Sequence, residues 1–232
     1  GQLVRTYSSK SDASFMKFPG GPQEDPTLPV KKGLNRFVWD MRYPTLPGVP
    51  TVFIEGSYRG HKVAPGLFKA VLKLNSTEKQ TGFQVLPDPR LHYSPEEYVR
   101  QDAFLTSVED DFKAIHLSVL RMRKIRKQLE DRLPLLKERD DWKPLQDQTQ
   151  ELVKKMRSWE DELVQNKAKS NDDIINYVNK LSADYIFLKG EADVNIPYVT
   201  KGQEDQYAYL SSLWSKHKAT MQSLLENELA AL

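Results

Sequence analysis

The chain contains no cysteine, which excludes disulfides, thiolate nucleophiles and cysteine-based metal sites. That absence is compatible with the cytosol and with export from a bacterium. No run of 18 apolar residues occurs, so no segment reads as a membrane-spanning helix. A charge excess is also missing. The formal net charge is +2, which gives no argument for nucleic acid or an anionic membrane as partner. Only four histidines are present, His61, His92, His116 and His217. They are scattered, without the His-x3-His or His-Glu-x-x-His spacings of metal sites, and no Asp-rich calcium loop accompanies them. No metal and no cofactor is expected. There is no Gly-x-Ser-x-Gly elbow and no glycine-rich phosphate loop. The chain opens on Gly1 without a signal-peptide pattern, which reads as a fragment or processed product.

What is present is enough apolar and aromatic residue for packed cores, with 39% hydrophobic content, four Trp and ten Tyr over 232 residues. Charge is uneven. Residues 1–93 hold 13 Lys/Arg against 7 Asp/Glu, and the remainder 21 against 25. The split points to two parts of different composition, 1–93 and 94–232.

The first part reads as short strands separated by Gly and Pro. Leu3–Tyr7 is a short strand and residues 8–32 a long loop, with Phe15, Met16 and Phe18 expected to pin it to a core. Gly33-Leu34-Asn35-Arg36-Phe37-Val38-Trp39-Asp40-Met41-Arg42-Tyr43 alternates, placing Phe37, Trp39 and Met41 on one side and Arg36, Val38 and Asp40 on the other. Trp39 reads as the anchor of a small β core. Thr51–Ile54 is another short strand. In Leu67–Leu74, the residues Phe68, Ala70, Leu72 and Leu74 share one face, with Lys69 and Lys73 on the other. Thr81–Leu86 returns after a turn at Asn75-Ser76-Thr77, which also fits an N-glycosylation sequon. These segments predict an antiparallel β-sandwich.

After Pro87-Asp88-Pro89-Arg90 the period changes from 2 to 3.6. Ser94-Pro95-Glu96-Glu97 is a capping box with Pro at the first helical position. Leu105, Val108, Phe112, Ile115, Val119 and Met122 follow at spacings of three and four, and Pro134 is expected to end or kink this helix. A second helix opens near Asp140 or Asp141, with a seam of Trp142, Leu145, Thr149, Leu152, Met156, Trp159 and Leu163. Asn171-Asp172-Asp173 is expected to cap a third, with Ile174, Val178, Leu181, Tyr185 and Leu188 on one face. A fourth runs from about Glu204 to the end. Four amphipathic helices with short links predict an antiparallel four-helix bundle or a pair of long hairpins.

No residue set reads as catalytic. The carboxylate groups Asp110-Asp111, Glu160-Asp161-Glu162 and Asp172-Asp173 fall on solvent faces or caps of the expected helices. Asp40 and Glu55 are lone carboxylates near strand ends. Arg121-Met122-Arg123-Lys124-Ile125-Arg126-Lys127 places five cations in seven residues. Met122 and Ile125 belong to the apolar stripe, and Glu130 and Asp131 stand four residues beyond Arg126 and Lys127, the spacing of helical ion pairs. No aromatics interleave as in a base-stacking surface. A salt-bridged helix face is the expected reading. Arg121, Arg123, Lys124 and Lys127 are the candidate interaction face, for a protein and not for nucleic acid.

Three stretches in order, Gly33–Tyr43, Ala64–Leu72 and Pro87–Arg90, resemble the C-terminal region of large bacterial proteins with sortilin-type or sialidase-type (BNR-repeat) β-propellers, commonly labelled glycosyl hydrolases. Asp173-Ile174-Ile175-Asn176-Tyr177 followed by Lys180-Leu181 is similar to their terminal helical stretch. Phe68 stands where that family usually has Tyr. The motif residues are Asn35, Phe37, Trp39, Asp40, Gly66, Asp88 and Arg90. The resemblance implies an α+β chain: an Ig-like β-sandwich over 1–93 that begins inside the module and lacks its first strand, then a helical bundle over 94–232. It leaves an unpaired sheet edge near Leu3–Tyr7. It also implies export from a bacterium and places any hydrolytic site in a propeller outside these residues, so no catalytic residue carries over. The functional expectation is a non-catalytic accessory region that docks on the propeller or holds a partner. The alternatives are a border of a glycoside hydrolase cleft and an assembly module dimerising through its helices.

Overall fold

One helix of 42 residues, α1 (Pro95–Leu136), carries most of the packing. Its start is fixed as the residue types dictate. The Ser94 N–H donates to Glu97 Oε2 at 2.8 Å, and the Glu97 N–H donates back to Ser94 Oγ at 3.3 Å. Leu105, Val108, Phe112, Ile115, Val119 and Met122 form its buried stripe. Pro134 does not stop it; the helix runs on to Leu136. The structure is a computed structural model that describes residues 1–136 and 140–232.

A 3-10 turn, Asp140–Trp142, leads into α2 (Lys143–Leu163), with Pro144 in the first turn, where its missing N–H has no helical partner to lose. Thr149, Leu152, Met156, Trp159 and Leu163 are buried, whereas Trp142 lies ahead of the helix and is exposed. The expected third helix is divided. Asp172–Asn176 forms a 3-10 turn, and α3 spans only Leu181–Ala192. The Asp173 carboxylate accepts from the Lys169 N–H at 2.8 Å and from Asn176 Nδ2 at 3.0 Å. Such local side-chain bonds compete with helix propagation. Ile174 is consequently buried and Val178 left 81% exposed. The last helix, α4 (Lys201–Ser223), starts three residues before the expected Glu204, because Thr200 and Gln203 make a reciprocal capping box. It closes in a π-helical turn, Leu224–Glu228. α1 packs against α2, α3 and α4.

The β-sandwich expected over 1–93 is absent. The described residues contain one sheet, the antiparallel pair β1 (Gly66–Leu74) and β2 (Thr77–Val85). A two-residue turn with Asn75 at φ 52° joins them, as this hairpin class requires. The expected strands Leu3–Tyr7, 34–41 and 51–54 carry no ladder. The fold is mostly helical, so the Ig-like reading is corrected. The physical reason lies in residues 42–63. Leu46, Val49, Val52, Ile54 and Tyr58 share one buried cluster with α1, α2, α3 and α4, so this apolar surface covers helices and makes no second sheet layer. Tyr43 donates its N–H to His61 O at 3.0 Å, and Leu46 donates to Tyr58 O at 2.7 Å, which folds the segment back on itself. Gly60 allows that close return: a Cβ there would stand 2.5 Å from the Tyr43 carbonyl oxygen.

Candidate functional site

The densest group of titratable side chains sits where residues 42–63 dock on α1 and α3. His61 is 1% exposed. Its Nδ1 lies 3.0 Å from Glu109 Oε2, off the ideal hydrogen-bond direction, and its Nε2 lies 3.3 Å from Asp102 Oδ1. Its backbone N–H donates to Glu109 Oε1 at 2.7 Å. The ring of Tyr43 covers the imidazole at a centroid distance of 4.4 Å, and Tyr43 Oη donates to Asp102 Oδ2 at 3.3 Å. Burial opposes a charge on His61, but Asp102 and Glu109 outweigh it and push the ring up to about 9. Burial and the Asp102 carboxylate together push Tyr43 up to about 12. At the C-terminal end of α3, Asp193 accepts from Arg42 Nη1 at 2.6 Å and from the Lys62 N–H at 3.2 Å, and Lys189, one turn earlier, donates its Nζ to the Arg59 carbonyl at 2.5 Å. Each ring nitrogen of His61 faces a carboxylate of the same helix. The geometry is that of a clamp, holding a loop to two helices, with His61 and Glu109 sealed and Asp102 partly open at 26%.

A second buried pair joins α1 to α2. Glu160, expected on a solvent face, is 2% exposed. Arg126 Nη1 donates to its Oε2 at 2.5 Å and Arg123 Nε to its Oε1 at 2.8 Å. Arg123 also donates to the Pro50 carbonyl at 2.6 Å, tying the loop into the same knot. Burial alone would raise the Glu160 carboxyl; the two guanidiniums outweigh it and hold it below the ordinary range. Of the four residues expected to form an interaction face, Arg123 therefore points inward. Arg121, Lys124 and Lys127 are exposed, and Lys127 pairs with Asp131 at 2.7 Å. Asp111, also expected on a solvent face, accepts from Tyr185 Oη at 3.0 Å and from Tyr207 Oη at 3.3 Å.

Residues 6–27 and 45–50 face α1 across a groove of about 730 Å³, with Phe15, Phe18, Pro47, Leu117 and Leu120 in its wall. Asp25 on this wall is already taken, accepting from Arg5 Nη2 and Thr45 Oγ1, both at 2.6 Å. Phe18 packs over Gly48, whereas Met16 is 64% exposed and pins nothing.

The motif residues do structural work at the edge of this body. Asn35 closes a turn, accepting from the Lys31 N–H at 3.0 Å and donating to its carbonyl at 2.9 Å. Phe37 lies 4.6 Å from the Tyr7 ring. Asp40 accepts from Arg59 Nη2 at 2.8 Å, and Asp88 accepts from Arg90 Nη2 at 2.6 Å. Gly66 opens β1. Trp39 is half-buried and anchors no β core. Its indole N–H donates to the Arg42 carbonyl at 3.1 Å, and its ring meets Phe68 at 5.6 Å and Phe83 at 6.2 Å. Beyond that contact the hairpin stands in solvent. None of its strand residues is buried, and Leu67, Leu72 and Leu74 are 85%, 61% and 64% exposed.

Arg5 carries no motif in the sequence. Its side chain is 7% exposed and ties Asp25, Asp40, Thr45 and the carbonyls of Arg42 and Tyr43 together. No local signal marks its ion pairs and hydrogen bonds, since those partners are all 20 residues away or more; nearby it meets only the Tyr7 ring, 4.9 Å from its guanidinium. The His61 clamp is equally invisible in the sequence, its carboxylates standing 41 and 48 residues away. Only Glu109, a carboxylate on the buried side of the α1 stripe, hinted at a buried partner.

Among the described residues no group of His, Asp and Glu is arranged to hold a metal, and no helix is long and apolar enough to cross a membrane. No protein-family model matches the chain, and neither does any curated protein or solved structure.

Proposed function

We propose that the chain is a non-catalytic accessory region of an exported bacterial β-propeller protein, serving to dock domains or to hold a protein partner. The family part of this reading rests on the resemblance of the Gly33–Tyr43, Ala64–Leu72 and Pro87–Arg90 stretches. The observation that carries the non-catalytic part is where the buried charges point. His61 faces Asp102 and Glu109, Asp193 faces Arg42 and Lys189, and Glu160 faces Arg123 and Arg126, with Asp102 the most open of these at 26%. Acid–base catalysis needs a titratable atom within reach of a substrate. A glycosidase needs two carboxyl groups flanking an open site; here Asp102 and Glu109 are bridged by a sealed imidazole instead.

The purified chain is expected to release no product from a panel of aryl glycosides and oligosaccharides at pH 5 to 8. Turnover that is lost in Glu109→Gln or Asp102→Asn, with the fold intact by circular dichroism, would overturn the reading in favour of a hydrolase.

A further inference from the structure

We infer that the outer edge of β1 binds an extended segment of another protein as a third strand, one that alternates apolar and acidic residues. The inference rests on the accessory reading only in taking the partner to be a polypeptide.

Two observations carry it. The first is an open edge. β1 pairs with β2 along its whole length, from Gly66 opposite Val85 to Leu74 opposite Thr77, and the sheet has two strands. Antiparallel pairing uses the N–H and C=O of alternate residues, so the other residues of β1 turn theirs outward. Nine residues of such an edge are a template for another strand. Natural edges are commonly blunted by shortness, proline, a bulge or charge, lysine above all; β1 has no proline and an uninterrupted register, and its one such device is the pair Lys69 and Lys73, which an acidic strand would neutralise.

The second observation is what flanks that edge. On one face an added strand would run beside Phe68, Ala70, Leu72 and Leu74. On the other it would run beside Leu67, Lys69, Val71 and Lys73. Cross-strand neighbours of this kind favour apolar against apolar and opposite charge against charge. Lys73 has a partner already, Glu78 at 3.2 Å, yet both remain exposed, and residues 66–85 carry three lysines against that single glutamate. The complement is therefore a strand with apolar residues at every second position and, between them, Asp or Glu opposite Lys69 and Lys73. The same charge count disfavours a second copy of this chain, because two hairpins side by side would bring lysines together. Phe68, Phe83 and Trp39 extend the apolar row at the base, where the strand would end against the body.

The test is titration of the full chain with three fluorescein-labelled nine-residue peptides, followed by anisotropy at about 0.15 M salt. One alternates Val/Ile with Glu, one alternates Val/Ile with Lys, and one scrambles the first. The acidic alternating peptide is expected to bind at least tenfold tighter than the other two. The double variant Lys69→Glu/Lys73→Glu is expected to reverse that order, and Leu72→Ser to weaken binding several-fold, with circular dichroism unchanged in both. Equal binding of the three peptides, or no response to the charge reversal, would overturn the inference. So would light scattering that finds a dimer the acidic peptide fails to compete away, since the occupant would then be a second copy. Glycoside turnover would sink the accessory reading and leave this titration unaffected. Failure of the titration alone sinks only the strand partner.

Discussion

His61 and His116 are both sealed in the interior, and their surroundings push them in opposite directions. His116 has only the Pro47 carbonyl, 2.8 Å from Nδ1, so that nitrogen carries the proton and donates. Burial, aided by the charge of Arg123, brings the ring down to about 4. His61 has two carboxylates and is raised to about 9. The folded value of His61 lies above its unfolded value of about 6.5. Its protonation stabilises the fold fully below pH 6.5, and that contribution is lost as pH rises toward 9. His116 behaves in the opposite sense, contributing above pH 6.5 and costing stability as pH falls toward 4. Urea unfolding is therefore expected to show a loss of roughly 2–3 kcal/mol between pH 6.5 and 9.5. In His61→Gln that alkaline loss should vanish while the acid limb remains. A His61→Gln profile parallel to the native one would show that the clamp is not the titrating group. At pH 6 the variant should also be less stable by about 3 kcal/mol, since Glu109 is left buried without its countercharge.

Helices α1 and α2 are fastened by apolar stripes and by one carboxylate. The stripes at Leu105–Met122 and at Thr149–Leu163 follow helical spacing and were readable directly, as was the capping box at Ser94. Periodicity could not assign the inside position of Glu160. It reports which residues share a face, not that a charge on the flank meets two arginines from 34 and 37 residues away. Pairs of that kind exist only in three dimensions. The same limit explains the sandwich that did not form. Val52 and Ile54 stand two apart in a β-forming run, as in a strand, but that spacing states only that one side is buried, and here α1 and its neighbours do the covering. Asn35 and Asp88 entered through the resemblance and not through turn chemistry; in the structure each closes a turn by local bonds, Asn35 where a strand was expected. Glu160→Ala is expected to cost about 3–5 kcal/mol, because two guanidiniums are left without their buried partner. Chemical denaturation would read the loss. A cost below about 1 kcal/mol would mean that Arg123 and Arg126 swing out to water and that the pair holds nothing together.

Taken whole, the molecule divides into a packed body and an arm. The body's buried cluster takes in Leu46 to Tyr58 and all four helices, and its polar seams cross between them. The hairpin has no buried residue and meets the body through Trp39. An isolated two-stranded hairpin is marginal in water. Aromatic pairs such as Trp39–Phe68 and Trp39–Phe83 contribute roughly 0.5–1.5 kcal/mol each beyond the area they bury. Removal of Trp39 should thus act on the arm and spare the body. In Trp39→Ala, the far-ultraviolet helical signal is expected to unfold within about 1 kcal/mol of the native chain, as for a residue outside the core. Hydrogen exchange of residues 66–85 should accelerate toward unprotected rates while α1 stays protected. A collapse of the helical transition would instead make Trp39 part of one cooperative unit with the helices. Unchanged exchange in the hairpin would mean that its own cross-strand pairs hold it. Binding of an added strand to β1 predicts the reverse of the Trp39→Ala effect: slower exchange across residues 66–85, with no change in the body.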